Sequence, residues 1–217
     1  AVCMPAASAT AASFDRDLIR KMGEAIGDSC QHEKLSVVLG PAVNIKRSPL
    51  CGRNFEYFSE DPYLAGEMSA AYINGVQSRN VGTSIKHFAA NNQELRRMAS
   101  NSVLDERTLR ELYLTGFEIA VKEGRPKCIM TSYNRVNGTY ANENHHLLQD
   151  ILHGEWGYDG AVVTDWGGSN DHVEGVREGS TLEMPCPGFG SAKRLMQAVA
   201  EGRLPESAVD ARVDELL

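Results

Sequence analysis

A carboxylate placed directly after an apolar strand is the most chemically suggestive feature of the sequence. Asp165 closes the run 161–165 and is followed by Trp166 and two glycines. The strand would fix the carboxylate, the indole offers an apolar face for a sugar ring, and the glycines let the backbone turn sharply. Such a carboxylate could act as a nucleophile. It could equally cap the next helix or occupy a turn, as aspartates after strands often do.

Polar side chains also end two other apolar runs. Lys86 and His87 close one of them, and Tyr133 closes another. Adjacent strand residues point to opposite faces, so Lys86 and His87 reach one pocket only if the strand ends or bulges there. Otherwise one of them packs outside the pocket. The Tyr133 phenol could donate a hydrogen bond to Asp165, or it could be a half-buried packing residue.

Arg53 lies in a loop that follows the first apolar strand. A guanidinium group can fork onto two vicinal hydroxyls or hold a carboxylate in place, because its donors lie in one plane. Arg53 could also form an ordinary surface salt bridge. The residue type is therefore compatible with binding of a hydroxylated ligand but does not require it.

The histidines and cysteines show no pattern of a metal site or a disulfide framework. His145 and His146 are adjacent and cannot share a helix face, and neither H-x-x-x-H nor H-E-x-x-H occurs. The five cysteines are odd in number, scattered, and without a C-x-x-C pair. We therefore expect free thiols and no metal site. Unpaired cysteines favour the cytoplasm, although the sequence leaves the compartment open.

Composition narrows the class of partner. The 217 residues carry a net charge of −7, which disfavours binding to nucleic acid because there is no basic stripe to neutralise phosphates. Apolar runs are too short to cross a bilayer. The stretch 1–13 is rich in small residues but lacks the basic and apolar regions of a signal peptide. A small neutral substrate fits this composition.

Helical and strand patterns alternate along the chain, which predicts a parallel sheet built from βα units. Helical spacing of apolar residues and short apolar runs define these segments. Asp61 and Pro62 are predicted to start one of the helices, and Gly124 is predicted to end another. The predicted helices cover 15–34, a segment from 61 onward, 105–123, 144–153, 192–201 and 205–217. The predicted strands, all short, cover 35–39 (buried), 83–87, 128–133, 161–165 and 181–184.

Two parallel architectures, a doubly wound sheet and a (β/α)₈ barrel, are compatible with this pattern. Both place functional residues at the carboxyl ends of strands. The absence of G-x-G-x-x-G after the first strand weakens a dinucleotide-binding fold. About five βα units are visible, whereas a closed barrel needs eight and typically roughly 250 residues. Since an unclosed barrel exposes strand edges and the chain starts at Ala1, we expect upstream units to be missing.

Six short motifs, in order along nearly the whole chain, resemble glycoside hydrolase family 3, most closely its β-glucosidase branch. Each motif is weak alone, but coincidence does not explain six in sequence. They are GPAVNI (40–45), GRNFEYFSEDP (52–62), KHFAAN (86–91), MTSYN (130–134), VVTDW (162–166) and LEMP (182–185). The resemblance implies an α/β fold of the (β/α)₈ TIM-type barrel class. Residues 1–217 would form part of that catalytic barrel, without its upstream βα units and without the α/β domain that follows.

The resemblance also implies roles for individual residues. Asp165 matches the catalytic nucleophile of the family. Arg53, Lys86 and His87 match residues that hold sugar hydroxyls in the −1 subsite. Tyr133 matches a tyrosine beside the nucleophile. Met130 and Trp166 match residues that line the −1 subsite.

The implied activity is that of a retaining, exo-acting β-glycosidase, most closely a β-glucosidase acting on a small β-glucoside or an oligosaccharide. Terminal non-reducing β-D-glucosyl residues would be released through a covalent glycosyl–Asp165 intermediate. This mechanism requires no metal and no organic cofactor. The family takes its acid/base glutamate from the second domain and a further aspartate from an upstream Asp-Gly-Pro motif, and neither lies in this chain. We therefore expect the chain to need the remaining segments of the enzyme as partners for activity.

Other readings of the family pattern stay open. The chain could be a non-catalytic carbohydrate-binding fragment, or the enzyme could have β-xylosidase or N-acetylhexosaminidase specificity. The N-acetylhexosaminidase branch carries a Pro-Gly-His run with an Asp-His dyad, where this sequence has FAANNQ at 88–93. Ser180 and Thr181 stand where the family often has an aspartate, and we expect little consequence from that departure.

Overall fold

The computed structural model describes residues 3–186 and 188–217, so Ala1 and Val2, at the start of the stretch not read as a signal peptide, lie outside it. Two π-helical turns, Leu109–Leu114 and Ala120–Gly124, join the α-helical segments Glu106–Thr108 and Thr115–Ile119 into one helix over 106–124. A π-helix also runs over His146–Glu155 and a 3₁₀ turn over Ala141–Glu143. The α-helices are α1 Ala7–Ala11, α2 Arg16–His32, α3 Pro62–Gln77, α4 Glu106–Thr108, α5 Thr115–Ile119, α6 His172–Glu178, α7 Phe189–Ala200 and α8 Glu206–Asp214. Among the described residues, no helix combines the length and apolar character that crossing a bilayer requires.

The main sheet is parallel and has the order β1-β2-β4-β7. A helix separates each of these strands from the next along the chain, which confirms the predicted α/β class and is consistent with part of a TIM-type barrel. A small second sheet, β3-β5-β6, lies in the loops beyond the main strands. The strands are β1 Val37–Val38, β2 Gly82–Phe88, β3 Asn101–Ser102, β4 Cys128–Thr131, β5 Arg135–Val136, β6 Thr139–Tyr140 and β7 Ala161–Val163.

Among the residues that the structure describes, helices cover one face of the main sheet and do not cover the other. Ile85, Ile129 and Val162 are fully buried in the large hydrophobic cluster that the helices cover, together with Phe88 and Phe117. Because side chains alternate along a strand, the residues next to these point to the opposite face, which is the interior of a barrel. The helices therefore pack on one face of the sheet and leave the other for the interior.

Helices α2 and α3 pack with their backbones in close contact. A Cβ atom on Gly75 would lie 2.2 Å from the carbonyl oxygen of Arg20, and one on Gly23 would lie 2.6 Å from that of Tyr72. Glycine is therefore required at both positions for the two helices to approach. The predicted start of α3 is confirmed, since the Asp61 carboxylate accepts a hydrogen bond from the N–H of Tyr63 at 2.8 Å.

Two predicted strands are wrong in extent. Of 35–39 only Val37–Val38 pairs, and Leu35 and Leu39 are 53% and 43% exposed rather than buried, since β1 has a neighbour on one side only within the described residues. The segment 181–184 reduces to one bridge between Leu182 and Val163. The N–H groups of Thr181 and Leu182 both donate to the Val162 carbonyl, which a regular ladder does not allow.

The helix ends at Gly124, as predicted, but the glycine is not the residue that turns the chain. Gly124 is still helical, and the left-handed residue that ends the helix is Arg125, with φ of 49°. A Cβ atom on Gly124 would lie 2.9 Å from Cδ1 of Ile73 in α3. Close packing against α3, rather than helix termination, is the reason for glycine there.

Candidate active site

Four of the polar residues predicted to form a site lie at or just beyond the carboxyl ends of three neighbouring strands of the sheet. Lys86 and His87 lie in β2, Tyr133 lies two residues after β4, and Asp165 lies two residues after β7. These strands are parallel and adjacent, so their carboxyl ends lie at one edge of the sheet. The sequence therefore folds so that residues far apart along the chain come together there.

Asp165 is buried, and its two carboxylate oxygens have different surroundings. Oδ1 accepts a hydrogen bond from the N–H of Trp166 at 2.7 Å. Oδ2 has no hydrogen-bond partner among the described residues. The N–H of Gly168 donates to the Asp165 carbonyl at 2.8 Å and closes the turn that follows the strand. Within the described residues, one oxygen is thus held by the backbone and the other is buried without a hydrogen-bond partner.

The alternative in which Asp165 caps the next helix is wrong. Helix α6 begins at His172, and its cap is Asp171, whose carboxylate accepts hydrogen bonds from the N–H groups of Val173 and Glu174. Asp165 lies six residues before that cap. The helix leaves no structural role of this kind for the Asp165 carboxylate.

His87 is the closest basic side chain to the Asp165 carboxylate in the described residues, with 3.7 Å between Nε2 and Oδ2. Its ring is almost fully buried, and Nδ1 lies 3.4 Å from the Tyr57 hydroxyl. The side-chain amide of Asn44 binds the His87 backbone at both its N–H and its carbonyl, at 2.7 and 2.9 Å. These contacts fix the ring beside the carboxylate.

The same environment keeps His87 neutral. Burial, together with the positive charges of Arg53, Lys86 and Arg97, holds the pKa of His87 well below its usual range. A neutral imidazole has one N–H donor and one acceptor lone pair, so it can contact a hydroxyl in either sense. His87 therefore adds no positive charge next to Asp165.

Lys86 and Arg53 meet at a residue that the sequence did not single out, Glu56. One carboxylate oxygen of Glu56 accepts a hydrogen bond from Nε of Arg53, and the other lies 3.3 Å from Nζ of Lys86. The register of β2 against β4 shifts between residues 85 and 88, which is the irregularity that two adjacent strand residues need to serve one site. Glu56 was part of a recognised motif, but nothing in its spacing indicated this contact.

Tyr133 is buried, and its hydroxyl donates to the Trp166 carbonyl at 2.8 Å. This contact with the backbone is the one hydrogen bond that the phenol donates in the described residues, and the Asp165 carboxylate lies near enough to act on the same hydroxyl. Burial and the negative charge of Asp165 raise the pKa of Tyr133 to about 12, so the phenol stays protonated. Tyr133 holds the backbone of the turn that carries Asp165.

Arg97 is a second residue that the sequence analysis missed. Its guanidinium carbon lies 4.6 Å from the ring centroid of Tyr133, and its Nη1 donates to a carboxylate oxygen of Glu94 at 2.7 Å. A cation over an aromatic face at this distance is attracted by the ring. Arg97 lies in the loop after β2, where no spacing rule predicts which side chain turns back towards the site.

Met130 and Trp166, the residues expected to line the site, differ in exposure. Met130 is 2% exposed and follows Ile129, whose side chain lies in the large core, so Met130 faces the barrel interior. Trp166 is 40% exposed beside Asp165 and presents an indole surface to solvent. Within the described part of the chain, no group of three or more His, Cys, Asp or Glu side chains is arranged to hold a metal ion.

The profile described as "Glycosyl hydrolase family 3 N terminal domain" matches residues 1–217. The chain belongs to this family. Thermostable beta-glucosidase B of Acetivibrio thermocellus is 52% identical over 217 residues, which is 100% of this chain and 29% of that protein. Exo-alpha-(1->6)-L-arabinopyranosidase of Bifidobacterium breve is 48% identical over 210 residues, covering 97% of this chain and 28% of that protein.

Solved structures agree with the sequence comparison. Beta-glucosidase 3B from Thermotoga neapolitana, in complex with glucose, superposes with a TM-score of 0.96 at 43% identity. The match covers 98% of this chain and 31% of that one. The family resemblance and the fold class are confirmed, and the chain spans less than a third of the length of these relatives.

Proposed function

We propose that this segment carries the nucleophile of a retaining, exo-acting β-glycosidase, most closely a β-glucosidase that releases terminal non-reducing β-D-glucosyl residues. The observation that carries the proposal is Asp165, which is buried, is held at one oxygen by the backbone and has no hydrogen-bond partner at the other within the described residues. Membership of the family and relatives named beta-glucosidase support the substrate class.

The proposed reaction has two displacements at one carbon. Oδ2 of Asp165 attacks the anomeric carbon as the bond from that carbon to the leaving oxygen breaks, and a general acid protonates that oxygen. A glycosyl ester on Asp165 remains. The group that acted as the general acid then takes a proton from water. The water oxygen attacks the anomeric carbon and releases the Asp165 carboxylate. Two inversions restore the original configuration.

Cations and apolar surfaces around Asp165 suit a sugar in the −1 subsite. Arg53 and Lys86 would donate to its hydroxyls, and neutral His87 would donate to one or accept from one. Hydroxyl contacts that strengthen at the oxocarbenium-like transition state supply part of the acceleration. Met130 and Trp166 would cover the apolar parts of the ring.

A retaining mechanism needs a second carboxyl group about 5 Å from the nucleophile. Glu56 and Glu94 are already engaged by the cations of the site, which disfavours either as the proton donor. We therefore assign the acid to a glutamate on another segment of the same enzyme. Residues 1–217 would then be part of a catalytic barrel, with further βα units and an α/β domain elsewhere. The chain's 29% share of the Acetivibrio relative supports this division.

The sugar itself has a second candidate. A relative that is 48% identical is named an exo-α-(1→6)-L-arabinopyranosidase, so an arabinopyranoside is a specific alternative to a glucoside. Nitrophenyl glycosides of β-D-glucose, β-D-xylose, N-acetyl-β-D-glucosamine and α-L-arabinopyranose would rank the candidates by kcat/KM. Asp165 Oδ2, which has no hydrogen-bond partner in the part of the chain that the structure describes, favours catalysis over a role as a binding fragment alone.

The anomeric configuration of the first product tests the proposal in the full polypeptide that carries this sequence. Proton NMR at early times should show β-glucose before mutarotation. Asp165→Asn should lower kcat by about a thousandfold or more, because it removes the nucleophile. Asp159→Asn, which changes an exposed carboxylate just before β7, should retain activity. Initial release of α-glucose, or a fully active Asp165→Asn enzyme, would overturn the proposal.

A further inference from the structure

Glu56 is a carboxylate at the centre of the site that the proposed reaction does not use. It touches two cations that come from different elements, Arg53 from its own loop and Lys86 from β2. The three side chains are only 17–20% exposed, so they form a largely buried cluster rather than a surface salt bridge. A partly buried cluster of this kind holds side-chain orientation in a way that exposed pairs do not.

The contacts of Glu56 leave other donors of both cations available. Arg53 is engaged through Nε, so the two terminal nitrogens of its fork are not used by Glu56. Lys86 has three N–H donors and directs one of them to Glu56. The backbone N–H of Glu56 also donates to the Arg53 carbonyl at 3.1 Å, which fixes the two residues in one turn.

The same contacts bear on the nucleophile. Arg53 and Lys86 are the cations expected next to Asp165, yet within the described residues its Oδ2 has no hydrogen-bond partner and its one ion-pair contact is with His87 at 3.7 Å. A carboxylate that is tightly paired with a cation is a weaker nucleophile, because its charge is already neutralised. Glu56 engages both cations, and neither of them contacts the Asp165 carboxylate among the residues that the structure describes.

We propose that Glu56 is a positioning residue that aligns Arg53 and Lys86 on the sugar hydroxyls and keeps both cations off the carboxylate of Asp165. This inference rests on the proposed function. Glu56 touches neither the sugar nor the reacting atoms. It acts through the two cations, so its loss should weaken contacts to particular hydroxyls rather than weaken activity towards all substrates equally.

The test uses Glu56→Gln in the full polypeptide, with Glu60→Gln, an exposed glutamate four residues on, as the matched control. The substrates are nitrophenyl β-D-glucoside and analogues that each lack one sugar hydroxyl. In the wild type, deleting a hydroxyl bound by Arg53 or Lys86 should lower kcat/KM by about 10- to 100-fold. In Glu56→Gln the same deletion should cost less than about threefold, because the contact is already lost.

A structural role alone predicts a different pattern. Glu56→Gln would then lower kcat/KM by the same factor for every analogue, and that outcome would overturn the inference. If Glu56→Gln fails to fold, Glu56→Asp serves, because its shorter carboxylate keeps the charge but reaches only one of the cations. In Glu56→Asp, the loss of kcat/KM on deleting a sugar hydroxyl should be reduced for one hydroxyl only. If the losses for all hydroxyls equal those of the wild type, the inference is also overturned.

Failure of the proposed function would look different. A full polypeptide that hydrolyses none of the four glycosides would refute the function and, with it, this inference. A wild type that is active on the glucoside, paired with Glu56→Gln kinetics equal to those of Glu60→Gln, would refute only the role of Glu56.

Discussion

At the scale of single residues, His87 is the buried histidine whose protonation differs between the folded and the unfolded chain. Its ring lies 3.7 Å from the Asp165 carboxylate, an arrangement that would normally favour protonation. Burial and the positive charges of Arg53, Lys86 and Arg97 outweigh that attraction and lower the pKa of His87. The folded protein therefore keeps this imidazole neutral at a pH where the unfolded chain protonates it.

The free energy of unfolding should depend on pH because the pKa of His87 differs between the folded and the unfolded chain. The unfolded chain binds a proton at His87 near pH 6.5, whereas the folded chain does so only at much lower pH, so stability falls as pH drops below about 6.5. Between pH 7 and 5.5 the free energy of unfolding of the wild type should fall by about 1 kcal/mol more than that of His87→Gln. Urea unfolding at pH 7 and pH 5.5 measures this change in free energy for the wild type and for His87→Gln.

The control for this measurement is His32→Gln, which changes an exposed histidine in the last turn of α2. It should lose stability with acid as steeply as the wild type does. If His87→Gln also loses stability as steeply as the wild type, the buried neutral histidine is not the cause.

The sequence predicted the central residue of the site but not all of its neighbours. Asp165 and His87 could be found because a strand end fixes where each residue lies. Glu56 and Arg97 could not be assigned, because both lie in loops whose course depends on packing. A loop residue can turn towards or away from the site at the same sequence spacing, so spacing carries no information about it.

At the scale of elements, the contact between α2 and α3 depends on the absence of side chains. Gly23 and Gly75 face each other where the two backbones approach most closely. Helix α3 follows the loop that holds Arg53 and Glu56, and it packs beside the helix over 106–124 at Gly66 and Gly124.

Gly75→Ala should destabilise the protein although alanine is the better helix former. The new methyl group would lie 2.2 Å from the Arg20 carbonyl, and backbone cannot shift as easily as a side chain. Overpacking of this kind typically costs about 1–3 kcal/mol. Urea unfolding should show this loss of stability relative to the wild type.

Gly190→Ala is the matched control in α7, because a Cβ atom there meets no described residue within 4 Å. Its stability should stay the same or rise by up to about 1 kcal/mol through helix propensity. A Gly75→Ala protein as stable as Gly190→Ala would show that the α2–α3 contact tolerates a side chain and that the account of the packing is wrong.

The sequence predicted the position of an element where local interactions determine it. It did not predict the position of an element that depends on pairing with distant residues. Asp61 and Pro62 mark the start of α3 correctly, because capping is a local interaction. The strand predicted at 181–184 shrank to one bridge at Leu182, and 35–39 proved exposed. Strand length and burial depend on neighbours that an apolar run does not reveal.

At the scale of the whole molecule, the described sheet has open sides. In the described ranges 3–186 and 188–217, β1 pairs only with β2, and on the far side β7 meets only the bridge at Leu182. Unpaired strand edges in a parallel sheet invite pairing with further strands. The family match and the chain's share of its relatives agree with a barrel that other segments complete.

The 217-residue chain alone should therefore turn over a nitrophenyl β-glucoside at least about a thousandfold more slowly than the full polypeptide, because the proposed acid is on another segment. The two preparations are compared at equal concentration under the same conditions, with circular dichroism to establish that the short chain is folded. Comparable rates from a folded short chain would show that both carboxyl groups lie within these residues.

The most direct test of the central claim is to trap the proposed intermediate on Asp165. The full polypeptide is treated with a 2-deoxy-2-fluoro β-glucoside that carries a good leaving group, digested, and sequenced by mass spectrometry. The account predicts a fluoroglucosyl ester on Asp165, and no label at that position in Asp165→Asn. A label on any other residue of an active enzyme would contradict the assignment of Asp165 as the nucleophile.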